Sequence, residues 1–113
     1  MSTTWTPITS EALRREIDAG VTKMSPRERV LWSFLRVTPQ KWALSPWGDA
    51  GGGFWVVAVG GETCIYYNDI EDGFNVSRFT RHGVIDDYFC NQDELQWVIH
   101  RMVEAIDAGS TTR

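Results

Sequence analysis

The strongest constraint on the fold lies near the middle of the chain, where an unbroken apolar run from 54 to 59 is followed by Gly60-Gly61. In an extended strand, alternate residues from Phe54 face one side and alternate residues from Trp55 face the other. Both sets are apolar, so the run is predicted to be a strand inside a sheet that is covered on both faces. Two consecutive glycines permit the positive φ angles of a tight hairpin turn.

The segments around this hairpin predict an antiparallel sheet. A return strand is predicted at 63–67, a further strand at 74–80, a short first strand at 40–44 and a fifth, edge strand at 84–89. The connections after residue 54 are too short for the crossovers that parallel strands need.

Two helices are predicted before the sheet. The first begins after Thr9, a good N-cap, and ends near Ala19 because Gly20 has the character of a residue that follows a helix. The second begins with a capping box at residues 25–28 that carries proline at its first helical position. Its core-facing arc is predicted from the helical spacing of apolar residues, with Trp32 at the edge of the arc: Val30, Leu31, Phe34 and Leu35.

One helix is predicted after the sheet, capped by Asn91 and closed by Gly109. Its apolar residues form one stripe: Leu95, Val98, Ile99, Met102, Val103 and Ile106. The chain is therefore expected to form a single α+β domain over residues 1–113, in the order α-α-β-β-β-β-α, with loose ends at 1–7 and 110–113.

Composition narrows the functional classes. The net charge of −4 argues against nucleic acid as a partner and is compatible with a basic protein. The chain begins without a basic segment and apolar run of the signal-peptide type, and no apolar stretch approaches the roughly 20 residues of a membrane span. With only two cysteines, a reducing cytoplasm is expected, and no membrane partner.

The acidic segment after the hairpin does not fit an EF-hand. Aligned on Gly73, the first, third and fifth ligand positions are Asn68, Ile70 and Asp72, and the twelfth is Phe79. Isoleucine and phenylalanine supply no ligand oxygen, so this calcium site is rejected. A looser cation site formed by Asp69, Glu71 and Asp72 is left as an alternative.

Motifs for zinc and nucleophilic catalysis are also lacking. The residues that favour zinc lack the paired spacings of zinc sites, and nothing in the sequence joins a cysteine to a histidine: Cys64, His82, Cys90 and His100. We therefore predict no catalytic residue, no structural metal and no cofactor, and we favour a non-enzymatic role.

The functional hypothesis rests on aromatic residues that are predicted to lie on the surface. Six tryptophans are difficult to bury in a domain of 113 residues. On the last helix, Trp97 lies almost opposite the apolar stripe, among charged residues. A contact with Arg101 or cover by the N-terminal arm that carries Trp5 would explain it without function, and a partner-binding role is the alternative.

The favoured hypothesis is an acidic protein-binding module, of the kind represented by immunity or inhibitor proteins that mask a basic nuclease toxin. Its predicted partner-binding residues are Trp47, Tyr67, Asp69, Glu71, Asp72, Trp97 and Arg101. One alternative is a ligand-binding or catalytic domain whose glycine-rich loop, 46–53, covers an aromatic pocket. Another is homo-oligomerisation through the same aromatic residues.

Overall fold

The predicted hairpin forms the centre of a four-stranded antiparallel sheet whose spatial order, β1-β2-β3-β4, follows the chain. The computed structural model describes residues 5–111, with side chains as far as residue 109. The elements are α1 (Ser10–Thr22), α2 (Pro26–Leu35), β1 (Arg36–Trp42), a short 3-10 helix (Asp49–Gly51), β2 (Phe54–Gly60), β3 (Thr63–Asn68), β4 (Gly73–Arg78) and α3 (Leu95–Thr111). The predicted α+β fold and its α-α-β-β-β-β-α order are confirmed.

Each face of the sheet supports its own hydrophobic core. On one face the helices pack over the strands, and the buried residues are Leu13, Met24, Trp32, Val57, Ala58, Ile65, Tyr67, Phe74, Leu95, Val98 and Ile99. On the other face the covering comes from loops, and the buried residues are Trp42, Leu44, Phe54, Val56, Cys64, Tyr66 and Ile85. The prediction that both faces of the central strand are covered is thus correct.

The predicted alternation of β2 is wrong beyond residue 57. The pairing with β3 shifts register between Val56 and Ala58, and Val57 and Ala58 both enter the helix-side core. A β-bulge adds one residue to a strand and reverses the phase of the alternation after it. Val59 consequently packs on the loop side, with Phe54.

The predicted fifth strand at 84–89 is not formed. Its amides bond to scattered acceptors and form no continuous ladder: Ile85 donates to the carbonyl of Ala43 and Asp86 to the carbonyl of Arg78. The amide of Asp87 donates to Ser77 Oγ at 2.9 Å, and the amide of Phe89 donates to the Tyr66 hydroxyl at 2.7 Å.

The first strand begins earlier than predicted, at Arg36 instead of residue 40, directly after α2. Arg36 pairs with Ala58 and Gln40 with Val56, so residues 37–39 form an irregular bulge on this edge strand. A bulge and a proline at position 39 both discourage pairing with another strand at the sheet edge.

The outer two helices also differ from prediction at their ends. α1 continues through Gly20 to Thr22. Gly20 does not end the helix but allows α1 to cross α3 closely, because a Cβ there would lie 2.8 Å from Leu95 Cβ. α3 begins at Leu95 instead of after Asn91, since residues 91–93 bond to β4, and it continues past Gly109 to Thr111.

The capping box of α2 is confirmed, and its predicted core face is correct in part. Leu31 and Leu35 pack against the helix-side core, whereas Val30 is exposed and Phe34 is 80% exposed. Trp32, predicted at the edge of the arc, is buried.

The loose ends were predicted at 1–7 and 110–113, of which residues 1–4 and 112–113 lie outside the described residues. Trp5 packs on Phe54, and residues 110–111 belong to α3.

Two adjacent glycines give a test of the packing between β1 and β2. Both have positive φ, but a Cβ at Gly53 would lie 2.2 Å from the carbonyl oxygen of Trp42, whereas nothing lies within 4 Å of one at Gly52. We expect Gly52→Ala to lower the free energy of unfolding by about 1 kcal/mol through backbone strain. Gly53→Ala should cost about 2 kcal/mol more through the added clash. Urea unfolding measures both, and equal losses would contradict the close approach.

Candidate functional site

The six tryptophans divide into three pairs by burial. Trp32 and Trp42 are buried and Trp5 and Trp55 are half-buried, whereas Trp47 and Trp97 are 47% and 53% exposed. The prediction that the interior does not hold every indole is confirmed. The two exposed indoles lie on different parts of the molecule, since Trp47 belongs to the loop-covered side and Trp97 to α3.

Trp97 stays exposed because neither of its expected neighbours covers it. Arg101 Nη2 lies 2.7 Å from Asp93 Oδ2, so its guanidinium is engaged by a carboxylate. Trp5 stacks on Phe54, on the loop side of the sheet. The ring that contacts the Trp97 indole is that of His100, edge to face, with centroids 6.2 Å apart.

A shallow cleft of about 430 Å³ opens beside the indole, where the α1–α2 connection meets α3. We call it the Trp97 cleft, and its lining is Lys23, Met24, Ser25, Glu28, Gln96, Trp97 and His100. Glu94 closes one side, because its Oε1 accepts from Lys23 Nζ at 3.2 Å and from Gln96 Nε2 at 2.7 Å.

The floor of the cleft contains a buried carboxylate bonded to a histidine. Glu28 Oε1 accepts from the amide of Ser25 at 2.9 Å, and Glu28 Oε2 lies 2.7 Å from His100 Nδ1. The other ring nitrogen, Nε2, lies 3.4 Å from Glu104 Oε2. The hydrogen bond to Glu28 raises the pKa of His100, and the bonds from Ser25 and His100 lower the pKa of Glu28. The bond to Glu28 therefore fixes the orientation of His100 and stabilises the charged form of its ring relative to a free imidazole.

The acidic β3–β4 connection contains one residue that is structural. Asp69 is only 8% exposed, and its Oδ2 accepts from the amide of Ile8 at 2.7 Å. Its Oδ1 has no hydrogen-bond partner among the described residues, and burial raises the pKa of the carboxyl. Asp69 thus anchors the segment before α1 and presents little surface to a partner.

Tyr67 is likewise a core residue, stacked edge to face with Phe74. Burial, and after it the nearby carboxylates of Glu16, Asp72 and Asp69, raises the pKa of Tyr67 to about 12. Of the acidic residues predicted for binding, Asp72 is exposed and Glu71 is half-buried. The sequence did not single out Glu16, which α1 brings to this loop.

Backbone contacts join the end of the acidic connection to the segment that precedes α3. The amide of Phe74 donates to the carbonyl of Asp93 at 2.9 Å, and a Cβ at Gly73 would meet the backbone of Asn91. Asp93 lies four residues before Trp97 and is paired with Arg101. Trp47 lies apart from this segment, on the loop-covered side of the sheet.

The glycine-rich loop at 46–53 packs onto aromatic rings. Trp47 stacks on Tyr88 with ring centroids 4.6 Å apart, and Trp5 lies against Gly51. Lys41 Nζ donates to the carbonyl of Gly51 at 2.9 Å. The larger cleft that we describe, about 730 Å³, lies elsewhere, between α1 and the α2–β1 junction.

Other candidate chemistry receives no support from the geometry of the described residues. Within that part of the chain, no group of three or more His, Cys, Asp and Glu side chains is placed to hold a metal ion. Burial raises the pKa of Cys64 to about 12, which leaves its thiol protonated at neutral pH.

Comparisons with models of known families, with characterised proteins and with solved structures gave no match. Among the described helices, none is both long enough and apolar enough to cross a bilayer. Function is therefore inferred from the chemistry of the Trp97 cleft and the residues around it.

The contact between His100 and Glu28 predicts a pH-dependent stability. The pKa of His100 is raised from 6.5, so its contribution is fully present below that value and is lost as pH rises through the folded pKa. The pKa of Glu28 is lowered from 4.5, so its contribution is present above that value and is lost as pH falls through the folded pKa.

We expect His100→Gln to lower the free energy of unfolding most between about pH 5 and 6, where both groups are charged, and progressively less as pH rises toward 9. Urea unfolding of both proteins across this range measures the difference. A difference that stays constant with pH would contradict the ion pair.

Proposed function

We propose that this chain is a non-enzymatic module that binds a basic surface of a partner protein through the Trp97 cleft and the acidic β3–β4 connection. The observation that carries the proposal is the indole of Trp97, exposed beside a cleft on a helix whose opposite face is buried. Tryptophan is among the residues most enriched at binding hot spots, which favours a partner contact at this position.

The position of Trp97 favours a binding role because the helix around it is rigid. Leu95, Val98 and Ile99 are buried in the helix-side core. Gly20 fits against Leu95 without a Cβ, which brings α1 and α3 together below the cleft. A pre-positioned indole loses little conformational entropy on binding, and tryptophan is among the commonest interface hot spots.

Unpaired acidic residues favour a basic partner. Glu16, Glu71 and Asp72 have no cationic side chain within 4.0 Å among the residues with described side chains. The carboxylates of Asp93, Glu94, Glu104 and Asp107, by contrast, are paired. The chain as a whole carries a net charge of −4. Unpaired negative charge near an aromatic contact speeds association with a basic surface and selects against acidic ones.

The size, acidity and aromatic surface of the chain suit an inhibitor or an immunity-type protein that masks a basic toxin, such as a nuclease. We place this role in the cytoplasm, where the two free cysteines, Cys64 and Cys90, would stay reduced. The bulge and proline at the β1 edge support binding through the helical side in preference to strand pairing.

Removing the indole tests the proposal. We expect affinity capture with the wild-type chain, from extracts of the cells that produce it, to retain a protein of basic surface, identified by mass spectrometry. Trp97→Ala should raise the Kd for that protein about 30-fold, which corresponds to a hot spot of about 2 kcal/mol. Trp47→Ala is the matched control and should bind as the wild type does.

Equal binding by Trp97→Ala, or capture of an acidic protein alone, would contradict the proposal.

Neutralising the acidic β3–β4 connection tests separately whether its negative charge contributes to partner binding. Asp69 must be left intact because it anchors Ile8, and Asp72 has φ 60, which asparagine tolerates. The double change Glu71→Gln and Asp72→Asn should therefore preserve the fold. It should slow association with the captured protein several-fold at low salt and have less effect at high salt. An association rate that is unchanged at low salt would remove the acidic connection from the binding surface.

A further inference from the structure

Resting on the proposed function, we infer that the Trp97 cleft receives an arginine side chain of the partner, stacked on the indole, and that protonation of His100 opposes its binding. Three features of the cleft support this role: the exposed ring of Trp97, the charges around it and the placement of His100.

The ring provides the recognition element. A cation above the face of an aromatic ring is attracted by its quadrupole, and tryptophan is the strongest of the aromatic residues in this contact. The Trp97 indole is 53% exposed, and its contact with His100 is edge to face at 6.2 Å. Within the part of the chain that the structure describes, Lys41 over Trp55 is the cation–π contact, so the Trp97 ring has no cation of its own.

Arginine fits this position better than lysine. Its planar guanidinium stacks on an aromatic face while its donors bond to carboxylates in the same plane, and it is more weakly hydrated than an ammonium group. An ammonium group in a shallow, open cleft would keep most of its hydration.

The carboxylates around the cleft attract a cation. Glu28, Glu94 and Glu104 supply three negative charges, and Lys23 supplies one positive charge by its bond to Glu94. Two negative charges therefore remain when His100 is neutral, and one remains when His100 is protonated. Of the other charged groups on the packed helices, Arg27 of α2 pairs with Asp107 and Arg101 of α3 pairs with Asp93. Arg29 of α2 has no carboxylate partner among the described ion pairs and donates instead to the carbonyls of Val21 and Thr22.

His100 is placed to compete with the incoming cation. It bonds to Glu28 through Nδ1 and approaches Glu104 through Nε2, and its ring touches the indole. Each proton that binds to the ring adds a positive charge beside the guanidinium position. A unit charge about 6 Å away in water changes affinity about threefold, and more in a less polar site. By linkage, bound arginine must lower the pKa of His100.

A model peptide tests the inference without the partner. The probes are the N-acetylated amides of hexa-arginine, hexa-lysine and hexa-citrulline, the last being a neutral analogue of arginine of similar shape. Binding is followed by NMR through the indole N–H of Trp97 and the ring signals of His100, assigned with Trp97→Phe and His100→Gln. The variant Glu71→Gln with Asp72→Asn shows how much of the signal comes from the acidic connection.

We expect hexa-arginine to shift both signals and to bind at least threefold more tightly than hexa-lysine, with no shift from hexa-citrulline. Its Kd should fall about threefold or more from pH 6 to pH 8, and His100→Gln should abolish that difference. Trp97→Ala should lose the preference for arginine over lysine. Saturating hexa-arginine should lower the pKa of His100.

Equal binding of arginine and lysine peptides, an unmoved Trp97 signal, or a pH dependence that survives His100→Gln would overturn the inference. If the peptide experiment fails but a basic protein is captured through Trp97, the partner uses Trp97 without arginine. The reverse pattern, peptide binding that meets these expectations with no basic protein captured, would leave the cleft as an arginine site and reject the proposed function.

Discussion

The structure depends on one constraint, which is that the central sheet is apolar on both faces while the three helices cover only one of them. The second face is buried by aromatic side chains from loops, including the Trp47–Tyr88 stack and the Trp5–Phe54 stack. Large rings suit this task because each buries a wide area from a short loop. The high tryptophan content of the chain is thus in large part a structural requirement, and it leaves Trp97 as the indole that the cores do not explain.

The exposure of Trp97 follows from the way α3 is held. Leu95 lies against Gly20 of α1, and His100 is bonded to Glu28 of α2. These contacts fix the rotation of α3 on both sides of Trp97, so the indole cannot turn inward without breaking them. The same contacts create the cleft and place a titratable ring beside it. The packing of α3, the charges in the cleft and the proposed binding role therefore all depend on these two contacts.

Local sequence signals predicted much of the fold. The glycine pair at 60–61 marked the hairpin, and the apolar stripe of the last helix placed Trp97 on the exposed side, as the structure confirms. Features that depend on contacts between distant segments were not predictable. The bulge at Val57 depends on pairing with β3, and the bond between Glu28 and His100 joins residues that are 72 positions apart.

The candidate site was predictable only where it depends on local sequence. Its exposed indole follows from helical periodicity, whereas its histidine and buried carboxylate belong to two helices and carry no shared motif. Asp69 looked like a surface acid because its bond to Ile8 joins segments 61 residues apart.

Hydroxyl-radical footprinting of the free protein would measure whether a rigid helix holds Trp97 open to solvent. Trp97 and Trp47 should be oxidised fastest, and Trp32 and Trp42 should be protected. Protection of Trp97 equal to that of Trp42 would contradict this expectation.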